Sequence, residues 1–306
     1  MELQETYSFT TVVDVIIPSF NNYSSLIKTL RSLERQTVSN FFVYICIDGA
    51  SEEIEQKLLN ERLTLQYRVM THPNNEHRGR NATRNLALPY VKSDYIITID
   101  SDAVASPTLI EEHLKVVSNN VISVGMFCYT NTNDNLWAKY LSTRGNSKRH
   151  HLDEIPYYYF KTGNVCFPSS YFTQLGGQDE QMKHYGGGDT EFSIRIHNTF
   201  HPKYVNNAKA IVFSEMDKDI ASALQQFFEF GAINLPYILQ KHPSEQQIFS
   251  IDKLLNNRLY FHVLKLPITS LFIPILSILP TFLQERVLHL CVASQIVRGY
   301  SSRVKV

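Results

Sequence analysis

The fold of this chain is best inferred from one segment, Tyr95-Ile96-Ile97-Thr98-Ile99-Asp100-Ser101-Asp102. Its first five residues are β-branched or aromatic and predict a buried strand, which ends at the two carboxylates. Like charges this close raise each other's pKa unless a cation lies between them. Oxygen ligands suit Mg²⁺ or Mn²⁺, and such an ion often carries a phosphate or diphosphate. The alternative is a plain turn, because Asp-Ser-Asp is also good turn and N-cap chemistry.

Two earlier strands repeat the pattern of an apolar run followed by polar residues. The first is predicted over Val12 to Ile17 and runs into Pro18-Ser19, and the second over Phe41 to Ile47, followed by Asp48. Helical periodicity separates the strands, which indicates a parallel sheet with helices on both faces. Ligands of such sheets bind outside the carboxyl ends of the strands. We therefore expect these polar strand ends to line one site.

Composition excludes some classes of function. The chain has 306 residues, 43% of them hydrophobic, with 29 Lys and Arg against 29 Asp and Glu. A net charge near zero argues against nucleic-acid binding, which needs a basic face. The four cysteines contain no C-x-x-C pair, so we expect neither a zinc site nor a disulfide scaffold. The N-terminus lacks a basic and then apolar pattern, so we expect no signal peptide and a reducing, cytoplasmic compartment.

The second half of the chain changes in character. Residues 131–156 are polar and poorly patterned, which predicts a long loop that could act as a lid. Trp137 at its start is either a platform for a sugar ring or a core residue. From about Ile220 onward helical patterns dominate, so we predict a catalytic region over 1–219 and a helical C-terminal region over 220–306.

Leu266 to Leu283 contains no charged residue but has three prolines, which disfavour a lipid-facing helix across a bilayer. We expect this segment to lie in a membrane interface, as part of a peripheral contact through 260–306. Basic side chains that could meet anionic headgroups flank it at Lys265, Arg286, Arg298, Arg303 and Lys305. A proline-kinked helical pair packed on the protein, or a dimer interface, is the alternative.

A second acidic cluster is His184-Tyr185-Gly186-Gly187-Gly188-Asp189-Thr190-Glu191-Phe192. Glycines before an acid allow a ligand to approach the backbone closely. Asp189 is then either the N-cap of a helix or a general base that faces a cleft.

Taken together, these segments resemble the inverting glycosyltransferases of family 2, which have the GT-A fold. The resemblance extends from about Val12 to Gly231, and its pieces occur in the expected order. They are Val15 to Asn21, Ile47 to Ser51, Arg78 to Asn85, Ile99 to Asp102, Thr162 to Val165, Leu175 to Glu180 and Gly187 to Phe192. The resemblance implies a Rossmann-like α/β fold with a mixed, mainly parallel sheet, a nucleotide-sugar half over about 12–105 and an acceptor half over about 106–219.

The resemblance also implies a role for each motif residue. Asp189 is expected to remove the proton of the acceptor hydroxyl, and Asp102 to bind Mn²⁺ or Mg²⁺, with Asp100 on the metal shell or the ribose. The residues expected to bind the nucleotide-diphosphate sugar are Pro18, Ser19, Asp48, Arg84, Asp100 and Ser101, with Asp48 on the nucleobase. Those expected to bind the acceptor are Asn164, Gly187, Gly188 and Glu191.

Two positions depart from the family pattern. The family often has Glu before the catalytic Asp, where this chain has Gly188, so Glu191 is a candidate for the acceptor contact. Many members have a His after a later strand as a third metal ligand. Here that stretch has no His, and Glu215, Asp217 or water would fill the position.

The leading hypothesis is a metal-dependent glycosyltransferase that uses a UDP-linked sugar and a glycan or lipid-linked acceptor, in surface polysaccharide assembly at the inner face of the cell membrane. The alternative is a degenerate scaffold on the same fold that binds nucleotide or glycan without turnover. A nucleotidyltransferase is disfavoured, because Pro18 to Asn22 lacks the glycine and lysine of a triphosphate loop. The oligomeric state is left open.

Overall fold

The computed structural model describes residues 13–49, 52–249 and 257–302. Several residues named above, Val12, Ala50, Ser51, Arg303 and Lys305, lie outside these ranges. The described part contains one eight-stranded sheet with the order β3-β2-β1-β4-β7-β6-β8-β5. Its strands are β1 (Val13–Ser19), β2 (Phe41–Ile47), β3 (Tyr67–Thr71), β4 (Tyr95–Ile99), β5 (Ala103–Ala105), β6 (Val121–Tyr129), β7 (Asn164–Pro168) and β8 (Lys203–Ser214).

The sheet is mixed, which confirms the predicted fold class. Strands β3, β2, β1 and β4 pair in parallel, as do β6 and β8. Strand β7 runs antiparallel to both β4 and β6, and β5 runs antiparallel to β8. The carboxyl ends of β1, β2 and β4 therefore meet at one edge of the sheet, as the sequence predicted.

Helices flank the sheet and form the C-terminal region. They are α1 (Tyr23–Leu33), α2 (Glu52–Asn60), α3 (Arg80–Asn85), α4 (Leu109–Leu114), α5 (Leu136–Ser142), α6 (Ser169–Gln174), α7 (Gly188–Phe200), α8 (Ile220–Glu229), α9 (Leu235–Lys241), α10 (Arg258–Leu264), α11 (Ile268–Phe272) and α12 (Thr281–Ser302). Helix α1 is capped by the side chain of Asn22, which accepts from the backbone N–H of Ser25 at 3.3 Å.

Alternate residues along the strands build two cores on opposite faces of the sheet. Val15, Val43 and Ile97 belong to the core that packs on α1, α2 and α4. The other core contains Ile16 and a group of fully or almost fully buried aromatic side chains, at Phe160, Phe167, Phe172 and Phe192. These aromatic side chains fix α6 and α7 on the sheet, and the second acidic cluster precedes α7.

The stretch 131–156 is more ordered in structure than the irregular loop that the sequence predicted. Helix α5 begins in it after Asn135, whose side chain accepts from the backbone N–H groups of Trp137 and Ala138. Trp137 is only 4% exposed and stacks on Tyr140 with ring centroids 5.0 Å apart. It packs in a third core with the C-terminal helices, so the core alternative for Trp137 is confirmed.

The C-terminal helices pack on one another through two glycines. A Cβ at Gly299 would lie 2.1 Å from the carbonyl oxygen of Phe228, and one at Gly231 would lie 2.2 Å from that of Ile296. Both positions exclude any side chain, because α12 crosses the α8–α9 pair at backbone contact. Helix α5 packs in the same cluster as the C-terminal helices, so the cluster includes residues from before position 219. The domain boundary at residue 219 stays a prediction.

None of the helices in the described ranges is long and apolar enough to cross a membrane. The four cysteines are free, and Cys46, Cys166 and Cys291 are buried.

The burial of Trp137 predicts the emission of the protein, because this chain contains one tryptophan. We expect blue-shifted fluorescence that acrylamide quenches poorly and that a sugar donor leaves unchanged. Unfolding in urea should shift the emission to the red and restore quenching. Strong quenching in the native protein would contradict the buried position.

Candidate active site

The two carboxylates after β4 differ in their surroundings. An oxygen of Asp100 accepts from the Arg84 guanidinium at 3.0 Å. Asp102 is open to solvent on one side, yet the surrounding protein raises the pKa of its carboxyl, and the charges of Asp100 and Asp217 add to this effect. The cost of two neighbouring negative charges, expected from the sequence, is therefore present at this strand end.

Asp189 is joined to the same strand end through Thr162 and Gly163. The Thr162 hydroxyl donates to Asp189 Oδ1 at 2.5 Å. A Cβ on the next residue, Gly163, would lie 2.5 Å from Asp100 Oδ2. Two consecutive residues therefore touch Asp189 on one side and Asp100 on the other, which brings together acids that are remote in the chain.

Arg84 is not open to solvent at the strand end. It is 3% exposed, and its guanidinium is paired with Asp100 beneath the strand end. Its Nε has no hydrogen-bond partner among the described residues. Arg84 therefore supports Asp100 from below, which differs from the diphosphate contact that the resemblance implied.

Two other cations stand beside the acids, and sequence analysis missed both. Both lie near the ring of Tyr185, whose centre is 4.9 Å from Lys218 Nζ and 5.7 Å from the Arg80 guanidinium carbon. Burial, with the nearby charge of Arg80, lowers the pKa of Lys218. Burial also raises the pKa of Tyr185, and the charges of Asp189 and Asp100 contribute to that rise. Two cations and two carboxylates thus lie near the phenol ring of Tyr185.

At the ends of β1 and β2, Asp48 is buried beneath a loop. Its carboxylate accepts from the backbone N–H groups of Arg78 at 2.7 Å and Gly79 at 3.0 Å, and lies 2.8 Å from His77 Nδ1. Asp48 therefore holds the loop before α3 with both of its oxygens, which differs from the nucleobase contact that the resemblance implied. The ring of His77 packs against Phe20 with centroids 4.6 Å apart, and Phe20 is 50% exposed. This aromatic pair was missed because a residue in each of two loops contributes to it.

The remaining donor-side residues lie at the same edge. Pro18 and Ser19 close β1, and the buried Ser19 hydroxyl has no hydrogen-bond partner within the described ranges. The carbonyl oxygen of Ser101 accepts from the Thr29 hydroxyl at 3.0 Å, which ties the acidic turn to α1.

Glu191 is fully buried rather than exposed to an acceptor. Its carboxylate lies 2.9 Å from Arg195 Nε, 2.8 Å from Lys241 Nζ and 3.3 Å from His242 Nε2. These ion pairs join α7 to α9, so the structure places Glu191 in a packing position.

The glycines before Asp189 are positions of close approach. Gly187 has a φ of +84°, and a Cβ there would lie 2.7 Å from Ile238 Cδ1. A Cβ at Gly188 would lie 2.8 Å from Asn81 Oδ1. The side chain of Asn81 therefore occupies the space that a larger residue at 188 would need.

Asn164 is also fully buried, within a polar network beneath the sheet edge. Its Nδ2 donates to the carbonyl oxygens of Met126 and Ala210, so its Oδ1 accepts from His113 Nε2 at 2.8 Å. His113 Nδ1 then accepts from the Ser123 hydroxyl at 2.9 Å. Burial lowers the pKa of His113 to about 4, which keeps the ring neutral. Asn164 thus joins strands, and no face of it is open to an acceptor.

The donor atoms at the acidic turn fit a hard divalent cation. Asp100 and Asp102 offer carboxylate oxygens, and the raised pKa of Asp102 reflects a charge that a cation would stabilise. The parts of the chain that the structure describes contain no cluster of three or more His, Cys, Asp or Glu side chains with metal-binding geometry. Substrate oxygens or water would therefore complete the coordination shell.

Comparison with known proteins agrees with this arrangement. Residues 14–175 of the 306 match the model of glycosyl transferase family 2. The chain belongs to this family. It is 23% identical over 220 residues to the chondroitin synthase of Escherichia coli, a match that covers 60% of this chain and 32% of that protein. The chain thus spans about a third of the length of this curated relative.

Solved structures share the fold. The mannosyltransferase PcManGT from Pyrobaculum calidifontis, in complex with GDP-Man and Mn²⁺, superposes with a TM-score of 0.63 at 13% identity, over 96% of this chain and 88% of that one. TarS 1–349 of S. aureus, in complex with UDP, has a TM-score of 0.52 at 15% identity, over 96% and 91%. The GT-A fold expected from the sequence is confirmed.

The buried His113 predicts a pH dependence of stability. The unfolded ring binds a proton near its ordinary pKa of 6.5, whereas the folded ring does so only near 4. The free energy of unfolding therefore decreases as the pH falls from about 6.5 to about 4, by at most about 3 kcal/mol. Urea unfolding across this range should show a steeper decline for the wild type than for His113→Gln. Parallel curves for the two proteins would contradict this role.

Proposed function

We propose that this chain is an inverting glycosyltransferase that uses a nucleotide-diphosphate sugar, with UDP as the expected nucleotide. The acceptor would be a hydroxyl of a glycan or a lipid-linked glycan, in the assembly of a surface polysaccharide. One observation carries the proposal: Thr162 and Gly163 bring Asp189 next to Asp100, at the edge where β1, β2 and β4 end. The polysaccharide assignment is supported by the relatedness to a chondroitin synthase.

Asp189 is the proposed general base. It lies in the first turn of α7, where the helix dipole stabilises a carboxylate, and the Thr162 hydroxyl fixes Oδ1. This leaves Oδ2 to accept the proton of the acceptor hydroxyl. The hydroxyl oxygen then bonds to the anomeric carbon, and the bond from that carbon to the diphosphate breaks on the opposite face. The nucleoside diphosphate leaves with the electron pair, which inverts the configuration.

The leaving diphosphate would face Arg80 and Lys218, the cations beside Tyr185. Fixed cations at a site of developing negative charge stabilise a transition state. Pro18, Ser19 and Phe20 would frame the nucleoside, with Asp48 ordering the loop that carries His77. In this proposal Arg84 acts on the donor only through Asp100.

Asp102 and Asp100 would hold Mn²⁺ or Mg²⁺ at the diphosphate. When bound, such an ion supplies Lewis-acid neutralisation of the leaving group. We further propose that the chain works at the cytoplasmic face of the cell membrane, as a peripheral protein.

The Asp189→Asn variant tests the proposed base. It keeps the shape of the side chain and the bond from Thr162 but cannot take the proton, so we expect transfer to fall about 10²- to 10⁴-fold. Nucleotide binding, measured by calorimetry, should stay near that of the wild type. The donor for this assay comes from a hydrolysis screen over a panel of nucleotide sugars.

Asp134→Asn is the matched control, because Asp134 is exposed in the turn before α5 and lies outside the site. It should transfer sugar at the rate of the wild type. Equal turnover of all three proteins would remove Asp189 from the mechanism.

A degenerate scaffold is the second candidate. It is favoured by Gly188 in place of the usual acid, by the burial of Glu191 and by the two-carboxylate set at the acidic turn. Such a protein would bind nucleotide or glycan without turnover.

Metal-linked nucleotide binding separates the two candidates. For the enzyme, we expect Mn²⁺ to tighten the binding of UDP in calorimetry, and Asp102→Asn to remove most of that gain, because one of two ligands is lost. UDP binding without Mn²⁺ should change less in this variant. Nucleotide binding that ignores Mn²⁺, with no hydrolysis of any donor, would favour the scaffold.

A further inference from the structure

The C-terminal region carries an exposed apolar ridge, formed by Leu271, Ile275, Ile278 and Phe282. Their exposed fractions are 65%, 39%, 78% and 64%. The ridge runs from α11 through a 3₁₀ segment to the start of α12. Large apolar side chains are scattered singly over most protein surfaces, whereas four of them exposed within twelve residues indicate a surface that another body covers.

The opposite side of the same segment is already buried. Ile268 and Leu276 are at most 5% exposed and pack in the third core with α5 and α12. An ordinary surface hairpin would turn polar residues outward from this point. Here the outward positions are apolar as well, so burial in the third core does not account for them.

A basic pocket lies beside this ridge. Its cavity has a volume of about 420 Å³ and is lined by Arg144, Lys148 and Arg149, together with Thr143, Gly145 and Tyr159. No ion pair joins these three cations to a carboxylate within the described ranges. The guanidinium carbon of Arg149 lies 5.8 Å from the centre of the Tyr159 ring, and that of Arg144 lies 4.9 Å from the Tyr140 ring. Aromatic faces thus hold both guanidinium groups in place.

Helix α12 connects the ridge to the pocket. Phe282, Arg286 and His289 are all exposed and stand four and then three residues apart, so they share one face of the helix. The side chain of His289 contacts the Arg144 guanidinium. Phe282 therefore lies about two helical turns, roughly 10 Å, from the pocket.

We propose that the apolar ridge and the basic pocket together dock this chain on a membrane that contains anionic phospholipids. The ridge would enter the boundary between headgroups and acyl chains, while Arg144, Lys148, Arg149 and Arg286 bind lipid phosphates. This inference rests on the peripheral location in the proposed function and identifies the surface responsible.

Charge favours a membrane over a second copy of the chain. In a symmetric dimer both copies contribute this same surface, which would bring its cations to the interface without a complementary acidic surface. An anionic lipid surface complements both the ridge and the cations.

The docking surface stands close to the candidate active site. Helix α5 is capped by Asn135, whose side chain donates to the carbonyl oxygens of Met216 and Lys218, and the end of α5 leads to Thr143 and Arg144 in the pocket. Seven helical residues span about 10 Å. A lipid-linked acceptor in the same membrane would therefore need only a short reach to the site.

Vesicle cosedimentation of the full chain tests the proposal. The wild type should bind vesicles of phosphatidylcholine with phosphatidylserine much more tightly than vesicles of phosphatidylcholine alone, and less tightly as salt rises. Replacement of Arg144, Lys148 and Arg149 by Gln should weaken binding about a hundredfold, since each cation near an anionic surface contributes about fivefold. The Ile278→Ser and Phe282→Ser pair should weaken binding to both kinds of vesicle.

Matched controls lie on the opposite half of the chain. Replacement of Lys28, Lys57 and Lys115 by Gln removes the same charge, and Leu59→Ser removes an apolar side chain that is 68% exposed. Both controls should bind vesicles as the wild type does. All variants should keep the thermal midpoint and the donor hydrolysis of the wild type, so docking is scored separately from chemistry.

Three results would overturn the proposal. In the first, the wild-type protein stays in solution with both kinds of vesicle. In the second, the triple Gln variant binds vesicles as tightly as its control. In the third, the wild type is a dimer that the Ile278→Ser and Phe282→Ser pair converts to a monomer. The last result would assign the ridge to self-association. Vesicle binding without hydrolysis of any donor would support the proposed docking surface and contradict the proposed transferase function.

Discussion

The ion pair between the buried Arg84 and the partly exposed Asp100 is the constraint on which the site depends. A guanidinium withdrawn from water is costly unless it is paired, and Asp100 is the partner that the structure provides. The pairing fixes the carboxylate against Gly163, where a Cβ would collide with Asp100 Oδ2 at 2.5 Å. This contact also positions the preceding residue, Thr162, so that its hydroxyl donates to Asp189. One charge pair at the end of β4 thus helps to fix the position of Asp100 relative to Asp189.

The strands that were predicted best are those whose signal is local. Strands β2 and β4 have the predicted bounds, Phe41–Ile47 and Tyr95–Ile99, because each is an unbroken run of apolar or β-forming residues flanked by polar ones. Helix α5 was missed for the opposite reason. Its apolar residues, such as Trp137, are buried by helices from the far end of the chain, so no periodicity within 131–156 reveals the burial.

The same distinction applies to the site. The acids could be predicted because they follow strand ends, where the topology of a parallel sheet gathers polar residues. Their partners could not, since the contact of Lys218 with Tyr185 involves a residue outside every motif, and the motif that contains Arg80 does not show that its side chain approaches Tyr185. Burial was equally hidden. Glu191 follows Asp189 by two residues within the same motif, yet helix α7 turns it into the protein toward Lys241.

Gly188 shows why one departure from the family pattern does not by itself indicate the loss of catalytic activity. A site that had merely lost an acidic side chain would keep the empty space. Here Asn81 fills that space, and its Nδ2 donates at 2.9 Å to the carbonyl oxygen of Asp179. The Asp179 carboxylate is in turn bound by Tyr237 and Lys241. Glycine at 188 is therefore part of a connected packing arrangement that reaches α9. The acceptor side of this chain thus differs from the usual family pattern by a set of linked residues and not by the loss of one acid.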